Sequence, residues 1–410
     1  MLPIIILFVV FILISVRQVG GVRFEIWQVM ALGALAALLT GSISCSEAWR
    51  SIDLDVIGFL FGMFALGQAL ELSGYLSHLE YKIFRRAGSG RQLLLLVIFG
   101  AGFASALLMN DTIAIVGTPV MLLLAKKHDM TPKALLLALA FGVTIGSAAS
   151  PIGNPQNLLI ALKGGVTDPF VTFFRYLAAP TVINLFAAFF LLRFFYPDEF
   201  KSKSLTHSQE PIKDHKMSVL CRISLVVIIC MVAFKIYAVG STLDFRLTYI
   251  ALFAALPVIL FSRRRLEILK KTDWSTLVFF ASMFILMKSV WNTGFFQGLL
   301  AETGVNIASV GAITAVSVVL SQFISNVPLA ALYLPMLAHL KAEPRALMAL
   351  AAASTVAGNF FILGAASNVI IIQTAEKRAG KTITFWEFLR VGAPLTLINC
   401  FVYWFFLTLL

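Results

Sequence analysis

A polar interruption, Asn110-Asp111-Thr112, lies in the middle of an apolar run that extends over residues 92–126. A single helix of this length would be about 52 Å long, whereas the hydrocarbon core of a bilayer is about 30 Å thick. The run is therefore either one long tilted helix or two half-helices that meet at a re-entrant tip. A second run of the same length, residues 306–340, is interrupted by Ser325-Asn326.

Basic residues on both sides of the first run distinguish these possibilities. They are Lys82, Arg85, Arg86 and Arg91 before the run, and Lys126, Lys127 and Lys133 at its end. Basic residues near the ends of transmembrane segments are strongly biased to the cytoplasm, so a single crossing would leave one cluster on the outer side. A re-entrant hairpin returns both clusters to the same side. We therefore predict that residues 92–126 and 306–340 are hairpins.

The overall composition is that of a polytopic α-helical membrane protein. Of the 410 residues, 60% are hydrophobic and 13% are charged, and the mean hydropathy is +0.92. Soluble globular chains are about half apolar and about a quarter charged. The remaining apolar runs predict ten transmembrane crossings, and no segment is polar enough to form a soluble domain.

The net charge of +12 follows the predicted topology rather than indicating a nucleic-acid partner. If the N-terminus is outside, most of the 32 Lys and Arg residues, Lys213 among them, fall in cytoplasmic segments, as the positive-inside bias requires. A few, including Lys163 and Arg246, fall in outer segments. We predict a multi-pass protein of the plasma (inner) membrane, surrounded by lipid, with both termini outside and no nucleic-acid partner.

The two halves of the sequence match each other. The matched positions include Asp53, Met63 and Gly74 with Asp273, Met283 and Gly294, and Phe173, Ile183 and Asn184 with Phe388, Ile398 and Asn399. Each half has an odd number of crossings, so the second must be inverted relative to the first. We predict an all-α fold with two inverted repeats, residues 1–196 and 218–410, joined by a cytoplasmic linker, residues 197–217. Each repeat would hold five transmembrane helices, some of them broken, and one re-entrant hairpin, an organisation typical of secondary transporters.

Four polar breaks fall at matching places in the two repeats, at residues 109–112, 151–157, 325–328 and 364–368. Each break frees N–H groups at the start of a helix, where the partial positive charge favours an anion. The alternative is that each asparagine only caps a broken helix; matching breaks in both halves favour a binding site. The predicted substrate-binding residues are Asn110, Thr112, Asn154, Gln156, Asn157, Ser325, Asn326, Ser367 and Asn368.

Asp111 is the acidic residue at a predicted hairpin tip, and with Asn110 it is the predicted coupling-ion site for H⁺ or Na⁺. An ionisable group inside a membrane is a functional candidate by default, although Asp111 could instead cap the helix that starts at Thr112. Lys288 could pair with Asp111 or attract an anion; its place near a helix end favours a side chain that reaches the outer interface. No cysteine or histidine spacing indicates a metal site, and no cofactor is predicted beyond the coupling ion.

At these breaks the sequence resembles the ion transporter superfamily, in particular its arsenite-permease/NhaD-type branch with a citrate transporter-like domain. Four segments carry the resemblance: Asn110-Asp111-Thr112, Gly153-Asn154-Pro155-Gln156-Asn157, Ser325-Asn326 and Ser367-Asn368. The last two are similar to the paired Ser-Asn motifs of the divalent anion/sodium symporters. The resemblance spans essentially the whole chain. It implies a homodimer in which a transport domain carrying both hairpins moves against a scaffold, as in an elevator.

The leading function hypothesis is therefore a secondary active transporter of a small anion, either arsenite, antimonite, another oxyanion or a carboxylate, coupled to H⁺ or Na⁺ through Asp111. Departures from the symporter motifs at both hairpins argue against dicarboxylate and citrate specificity. The alternative is a Na⁺/H⁺ antiporter of the same fold, in which Asp111 would bind the transported cation. A channel would need a continuous pore, which broken inverted repeats do not suggest. An enzyme is not predicted, because the apolar segments contain no Ser-His pair, paired-Asp motif or HExxH.

Overall fold

The long apolar runs form helices, several of which end at the predicted polar breaks. The structure, a computed structural model, describes residues 2–16, 18–19, 22–23, 25–75, 78, 87–128, 130–199, 212–237, 245–295, 306–324, 326–380 and 383–409. Three predicted features therefore lie outside the described residues: Ser325, the middle of the linker, and the basic residues at 82–86.

Eighteen α-helices lie in the described part of the chain. In the first half they are α1 (Leu2–Val16), α2 (Ile26–Leu39), α3 (Cys45–Ser51), α4 (Leu54–Ser73), α5 (Gly90–Leu108), α6 (Asn110–Lys127), α7 (Pro132–Ser147), α8 (Pro155–Lys163) and α9 (Pro169–Phe195). In the second half they are α10 (His215–Tyr237), α11 (Leu247–Phe261), α12 (Arg265–Lys271), α13 (Trp274–Trp291), α14 (Val310–Ile324), α15 (Asn326–His339), α16 (Pro344–Val356), α17 (Ala366–Ala379) and α18 (Phe385–Leu409). Two short 3-10 turns, Ala357–Asn359 and Ile362–Gly364, separate α16 from α17, and strands Gln18–Val19 and Val22–Arg23 pair antiparallel.

Neither long run forms a single long helix. The first is split at Met109, between α5 and α6. In the second, the hydroxyl of Tyr333 on α15 donates to the carbonyl of Ile307, just before α14, so α15 folds back along α14. Six of the described helices (α4, α5, α9, α10, α13 and α18) are long and apolar enough to cross a membrane. Ten crossings are predicted, and α5 lies in a predicted hairpin. Further described helices are apolar but shorter: Trp27–Leu39, Pro132–Ser147, Leu247–Phe261 and Val310–Gln322. The shortfall arises partly because apolar runs such as residues 133–162 and 345–375 contain a break, so that each forms two shorter helices.

Helix α4 separates basic residues that the sequence assigns to opposite sides of the membrane. At its start, Asp53 pairs with Lys163 and Asp55 pairs with Arg246, and both cations belong to predicted outer segments. At its end, the carbonyl of Ser73 accepts a hydrogen bond from the backbone N–H of Lys213, which belongs to the predicted cytoplasmic linker. A helix of 20 residues is about 30 Å long. The two groups of basic residues are thus separated by about the thickness of a bilayer core.

The centre of the fold is built by α7 and α16, one from each half of the chain. All residues of α7 from Ala134 to Ser147 are buried, and so are those of α16 from Ala346 to Val356. Phe141 of α7 packs against Phe388 of α18 with ring centroids 5.2 Å apart, which ties the two halves together. Both central helices lead directly into a break, so their last turns lie at the candidate site.

Glycines allow α7 and α5 to pack backbone against backbone. A methyl group added to Gly146 would overlap the backbone of Gly102, and one added to Gly142 would lie 2.9 Å from the carbonyl oxygen of Ile98. Small residues that permit such close approach are a common means of helix association in membranes.

We expect Gly146→Ala to lower the melting temperature of the purified protein strongly. Overpacking typically costs about 1–3 kcal/mol, and here the obstacle is backbone, which cannot rotate away as a side chain can. Gly311→Ala is the matched control: the nearest atom to its added methyl group, Nε1 of Trp404, is 3.8 Å away, and alanine favours a helix by about 1 kcal/mol over glycine. Equal melting temperatures for the two variants would contradict the close contact between α5 and α7.

Candidate functional site

The first break brings two irregular segments into contact. Met109, between α5 and α6, is fully buried and has a φ of 68°, a region that favours glycine. Holding a methionine in such a conformation costs about 1–3 kcal/mol, so the surrounding structure must fix it. The backbone N–H of Asn110 donates a hydrogen bond of 2.9 Å to the carbonyl of Gly153. The predicted hairpin tip therefore rests on the polar segment between α7 and α8.

Asp111 lies in the first turn of α6 with only 9% of its surface exposed. Its N–H donates to Oδ1 of Asn110 at 2.9 Å, whereas its own Oδ1 is buried without a hydrogen-bond partner. The capping position of α6 is Met109, so Asp111 is not the N-cap that the sequence left as an alternative. A buried carboxylate in this setting is costly unless it binds a proton or a cation.

Thr112 borders the contact between α6 and α4. A methyl group added to Gly67 of α4 would lie 2.8 Å from Cγ2 and 3.1 Å from Oγ1 of Thr112. The glycine therefore lets the two helices approach closely at the level of the hairpin tip. Thr112, one of the predicted site residues, is buried, and its side chain lies against the backbone of α4 at Gly67.

The break between α7 and α8 closes on itself through two asparagines. Asn154 caps α8, with its Oδ1 accepting from the N–H of Asn157 at 2.8 Å. The Nδ2 of Asn157 lies within hydrogen-bond distance of three carbonyls, those of Ser147 (3.1 Å), Ala148 (3.2 Å) and Ser150 (3.0 Å). Broken backbone at membrane depth is tolerated where protein groups satisfy it, and here these two side chains do so.

Thr355, at the end of α16, joins this first break to the second half. Its Oγ1 accepts from Nδ2 of Asn154 at 3.1 Å and from Nε2 of Gln156 at 3.3 Å, and it donates to Oδ1 of Asn157 at 3.4 Å. The three predicted site residues of α8 thus converge on one hydroxyl from the other half. Sequence reasoning missed Thr355, because a threonine at the end of an alanine-rich helix carries no local signal.

In the second half, side chains from three helices converge on the turn Ala357–Asn359. Nδ2 of Asn368 donates to the carbonyl of Gly358 at 2.7 Å, and Nε2 of Gln322 donates to that of Ala357 at 2.9 Å. Asn326 of α15 also reaches this turn, since its Nδ2 lies 3.4 Å from the position of a Cβ added to Gly358. Gln322 and Asn359 are further residues that the sequence did not single out.

This second cluster holds more unsatisfied polar atoms than the first, where Oδ1 of Asp111 is the one already described. The buried atoms without a hydrogen-bond partner are Oε1 of Gln322, Oδ1 of Asn326, both amide atoms of Asn359, Oγ of Ser367 and Oδ1 of Asn368. Buried polar groups in proteins are normally paired, so such a concentration calls for a ligand, ion or water. Most of these atoms are oxygens, which can accept hydrogen bonds or coordinate a cation.

The structure thus brings the predicted site residues into two neighbouring clusters rather than one. Asn110, Asp111, Thr112, Asn154, Gln156 and Asn157 lie at the first, and Asn326, Ser367 and Asn368 lie at the second. Helix α6 packs along α17, and α8 packs against α15, so each cluster contains elements of both halves. Lys288 lies apart in the last turn of α13, half-buried, as expected for a side chain near a helix end.

Comparison with known proteins identifies the family of this chain. The family model described as citrate transporter matches residues 6–344. The chain belongs to the citrate transporter family. An uncharacterised transporter of Mycobacterium bovis is 30% identical, with 91% of this chain and 90% of that protein aligned. The silicon efflux transporter LSI3 of Oryza sativa subsp. japonica is 28% identical, over 90% of this chain and 89% of that protein.

The fold also has a counterpart among solved structures. The crystal structure of the YdaH transporter of Alcanivorax borkumensis superposes with a TM-score of 0.62, at 17% identity, over 100% of this chain and 97% of that one. Together with its apolar helices, membership of the citrate transporter family makes this chain a membrane transporter and not an enzyme. The resemblance to the ion transporter superfamily is thus confirmed.

Proposed function

We propose that this member of the citrate transporter family is a secondary active transporter of a small anion or its protonated acid: arsenite, antimonite, another oxyanion or a carboxylate. The observation that carries the proposal is the convergence of broken helices from both halves on buried polar atoms that have no partner, among them Oδ1 of Asp111, Asn326 and Asn368. Paired discontinuous helices are where secondary transporters bind their solutes.

Coupling to H⁺ or Na⁺ is assigned to Asp111. Its carboxylate is buried, lies in the first turn of α6 and lacks a partner at Oδ1, so either a proton or a cation would relieve the cost of its burial. A cation such as Na⁺ would need oxygen ligands. Two neutral oxygens lie at the tip: Oδ1 of Asn110, which accepts from the N–H of Asp111, and the carbonyl of Gly153, which accepts from the N–H of Asn110. No group of three or more His, Cys, Asp or Glu suited to a tighter metal site occurs in the described part of the chain.

An elevator motion and a homodimer complete the proposal. Both rest on the resemblance of the four breaks to the ion transporter superfamily, and the likeness of fold to the YdaH transporter is compatible with them. In this scheme α4 belongs to the scaffold and the hairpins to the moving part. The contact of Gly67 with Thr112 and the ion pair of Asp53 with Lys163 would then lie between the two parts.

The proposal is tested by transport into proteoliposomes containing the purified protein. The panel holds arsenite, antimonite, sulfate, phosphate, C4-dicarboxylates and citrate, together with silicic acid because one relative is named for silicon efflux. Each solute is offered with a H⁺ gradient, with a Na⁺ gradient and with neither. We expect accumulation of at least one solute that depends on one of the gradients.

Two other outcomes would replace the proposal. If a Na⁺ gradient drives movement of H⁺ and no solute of the panel is transported, the protein is a Na⁺/H⁺ antiporter. The buried carboxylate of Asp111 is the observation that favours this alternative. Rapid flux of an anion that is never concentrated above equilibrium, whatever the gradient, would indicate a channel.

A further inference from the structure

Two short helices, α3 and α12, lie at matching places in the sequences of the two halves. Each has seven residues and leads into a long helix, α4 or α13, whose cap is one of the matched aspartates, Asp53 or Asp273. A shift of 220 positions aligns the two short helices residue for residue. At the same aligned position each has one buried side chain, Ala48 in α3 and Ile268 in α12. The two helices are therefore anchored to the fold in the same way.

Helix α12 lies on the side of the molecule that is predicted to be cytoplasmic. It packs against α11 and α4. Asp214 lies close enough to Arg264, the residue before α12, to act on its charge. The neighbour of Asp214 is Lys213, whose N–H bonds to the last residue of α4. Helix α3 lies at the start of α4, so the two short helices flank α4 at its opposite ends.

The two short helices differ in charge. Residues 262–272 contain five basic residues and one acidic residue, a net charge of +4, whereas residues 42–52 contain one of each, Arg50 and Glu47. In α3, Oε1 of Glu47 accepts a hydrogen bond of 2.7 Å from Nδ2 of Asn292, at the end of α13. A short helix at this place thus packs without a basic cluster, so packing does not account for the basic residues of α12.

Within the described part of the chain, two of the five basic side chains around α12 are neutralised. Nε of Arg264 donates to Oε2 of Glu267 at 2.7 Å, and Nζ of Lys271 pairs with Oε1 of Glu267 at 3.1 Å. The hydrogen bonds from Arg264 and Lys271 lower the pKa of Glu267 to about 2, so this carboxylate is ionised at neutral pH and both its oxygens are occupied. The exposed side chains without an acidic partner among the described residues are Arg263, Arg265 and Lys270.

Large apolar side chains are exposed beside these three cations. Phe261 at the end of α11 is 73% exposed, Leu266 of α12 is 68% exposed, and Trp274 at the start of α13 is 50% exposed. Nε1 of Trp274 donates to the carbonyl of Leu269 at 2.8 Å, which holds the indole ring against α12. Tryptophan is enriched at the membrane–water interface, and helices that lie in this interface combine basic with large apolar side chains. The exposed face of α12 therefore has the character of a membrane-surface element.

We propose that the exposed face of α12 binds an anionic phospholipid of the cytoplasmic leaflet. The headgroup phosphate is contacted by Arg263, Arg265 and Lys270, and the three exposed apolar side chains lie against the upper part of the acyl chains. A guanidinium group suits this partner because its planar fork donates two parallel hydrogen bonds to a phosphate, and Lys270 adds a compact charge. The bound lipid neutralises cations that no described side chain neutralises, and it holds α12 at the membrane surface. This inference is independent of the transported solute.

The test is thermal unfolding of the purified protein in detergent micelles that contain dioleoylphosphatidylglycerol, dioleoylphosphatidylcholine or inorganic phosphate. The first variant, called the α12 variant, combines Arg263→Gln, Arg265→Gln and Lys270→Gln. The matched control variant removes the same charge from other segments that are predicted to be cytoplasmic. It combines Arg91→Gln, Lys126→Gln and Arg193→Gln.

We expect phosphatidylglycerol to raise the melting temperature of the wild type and of the control variant, because a ligand that binds the folded state stabilises it by mass action. Phosphatidylcholine and inorganic phosphate should have no such effect. In the α12 variant the phosphatidylglycerol concentration that gives half of the stabilisation should rise about a hundredfold or more. Each charged hydrogen bond that is lost weakens binding by about tenfold.

Several results would overturn the proposal. Equal weakening in the control variant would show that the basic residues act as a diffuse charge and not at α12, and an unchanged response of the α12 variant would place the lipid elsewhere. A wild type that phosphatidylglycerol does not stabilise, or that phosphatidylcholine or inorganic phosphate stabilises as well, would exclude an anionic-lipid site. If the α12 variant does not fold, Lys270→Gln alone decides in the same way against Arg91→Gln, with about tenfold weakening expected.

Discussion

Asp111→Asn is expected to abolish gradient-driven accumulation of the solute while leaving the protein folded. The amide keeps the shape of the side chain but can neither take up a proton nor attract a cation. Losing one partner of a buried charge interaction costs about 2–5 kcal/mol. A loss of about 3 kcal/mol corresponds to roughly 150-fold weaker binding of the coupling ion. The measurement is uptake into proteoliposomes with and without an imposed H⁺ or Na⁺ gradient.

The same variant should be at least as stable as the wild type. Oδ1 of Asp111 is buried without a hydrogen-bond partner, so removing its charge relieves an unfavourable burial. Asp168→Asn is a suitable control, because Asp168 is exposed and its φ of 48° is tolerated by asparagine as well as by aspartate. Unchanged gradient dependence in Asp111→Asn, with equal melting behaviour, would show that the coupling ion binds elsewhere.

Sequence alone predicted the breaks because their evidence is local. The mismatch between a run of residues 92–126 and the bilayer thickness, and the helix-capping chemistry of Asn154, are properties of a short stretch of chain. The structure accordingly splits the run at Met109 and starts α8 after Asn154. The number of membrane-crossing helices was harder to predict. An apolar composition shows that a segment lies in an apolar environment, but it does not show whether its helix is continuous.

The partners within the site could not be predicted from the sequence for a different reason. Thr355, Gln322 and Asn359 are isolated polar residues in apolar helices, where a buried hydroxyl or amide is as often satisfied by its own backbone. What distinguishes them is which carbonyl or amide of the other elements they meet, and that depends on packing across the two halves. The larger number of unpaired polar atoms in the second cluster likewise cannot be predicted until the hydrogen bonds are known.

Asn157→Asp is expected to be the most destabilising single change at the site. The Nδ2 of Asn157 lies 3.0–3.2 Å from the carbonyls of Ser147, Ala148 and Ser150. An ionised aspartate can only accept, so the three carbonyls would each lose a donor and face a negative charge, although those of Ser147 and Ser150 also accept from backbone N–H groups. Leaving a buried polar group unsatisfied costs about 1–3 kcal/mol, and a charged group costs more.

Asn368→Asp provides the comparison that separates structure from binding. Nδ2 of Asn368 donates to one carbonyl, that of Gly358, and its Oδ1 is unpaired, so the same substitution should lower the melting temperature less than at Asn157. Solute binding should be weakened more by Asn368→Asp than by Asn157→Asp, because position 368 lies in the second cluster, where most of the unpaired polar atoms are. Uptake and melting temperature are measured for both variants, and the amounts of folded protein are compared by size-exclusion chromatography. If Asn368→Asp proves the less stable of the two, the three contacts of Asn157 contribute less to stability than the single hydrogen bond of Asn368, and the expected ranking is wrong.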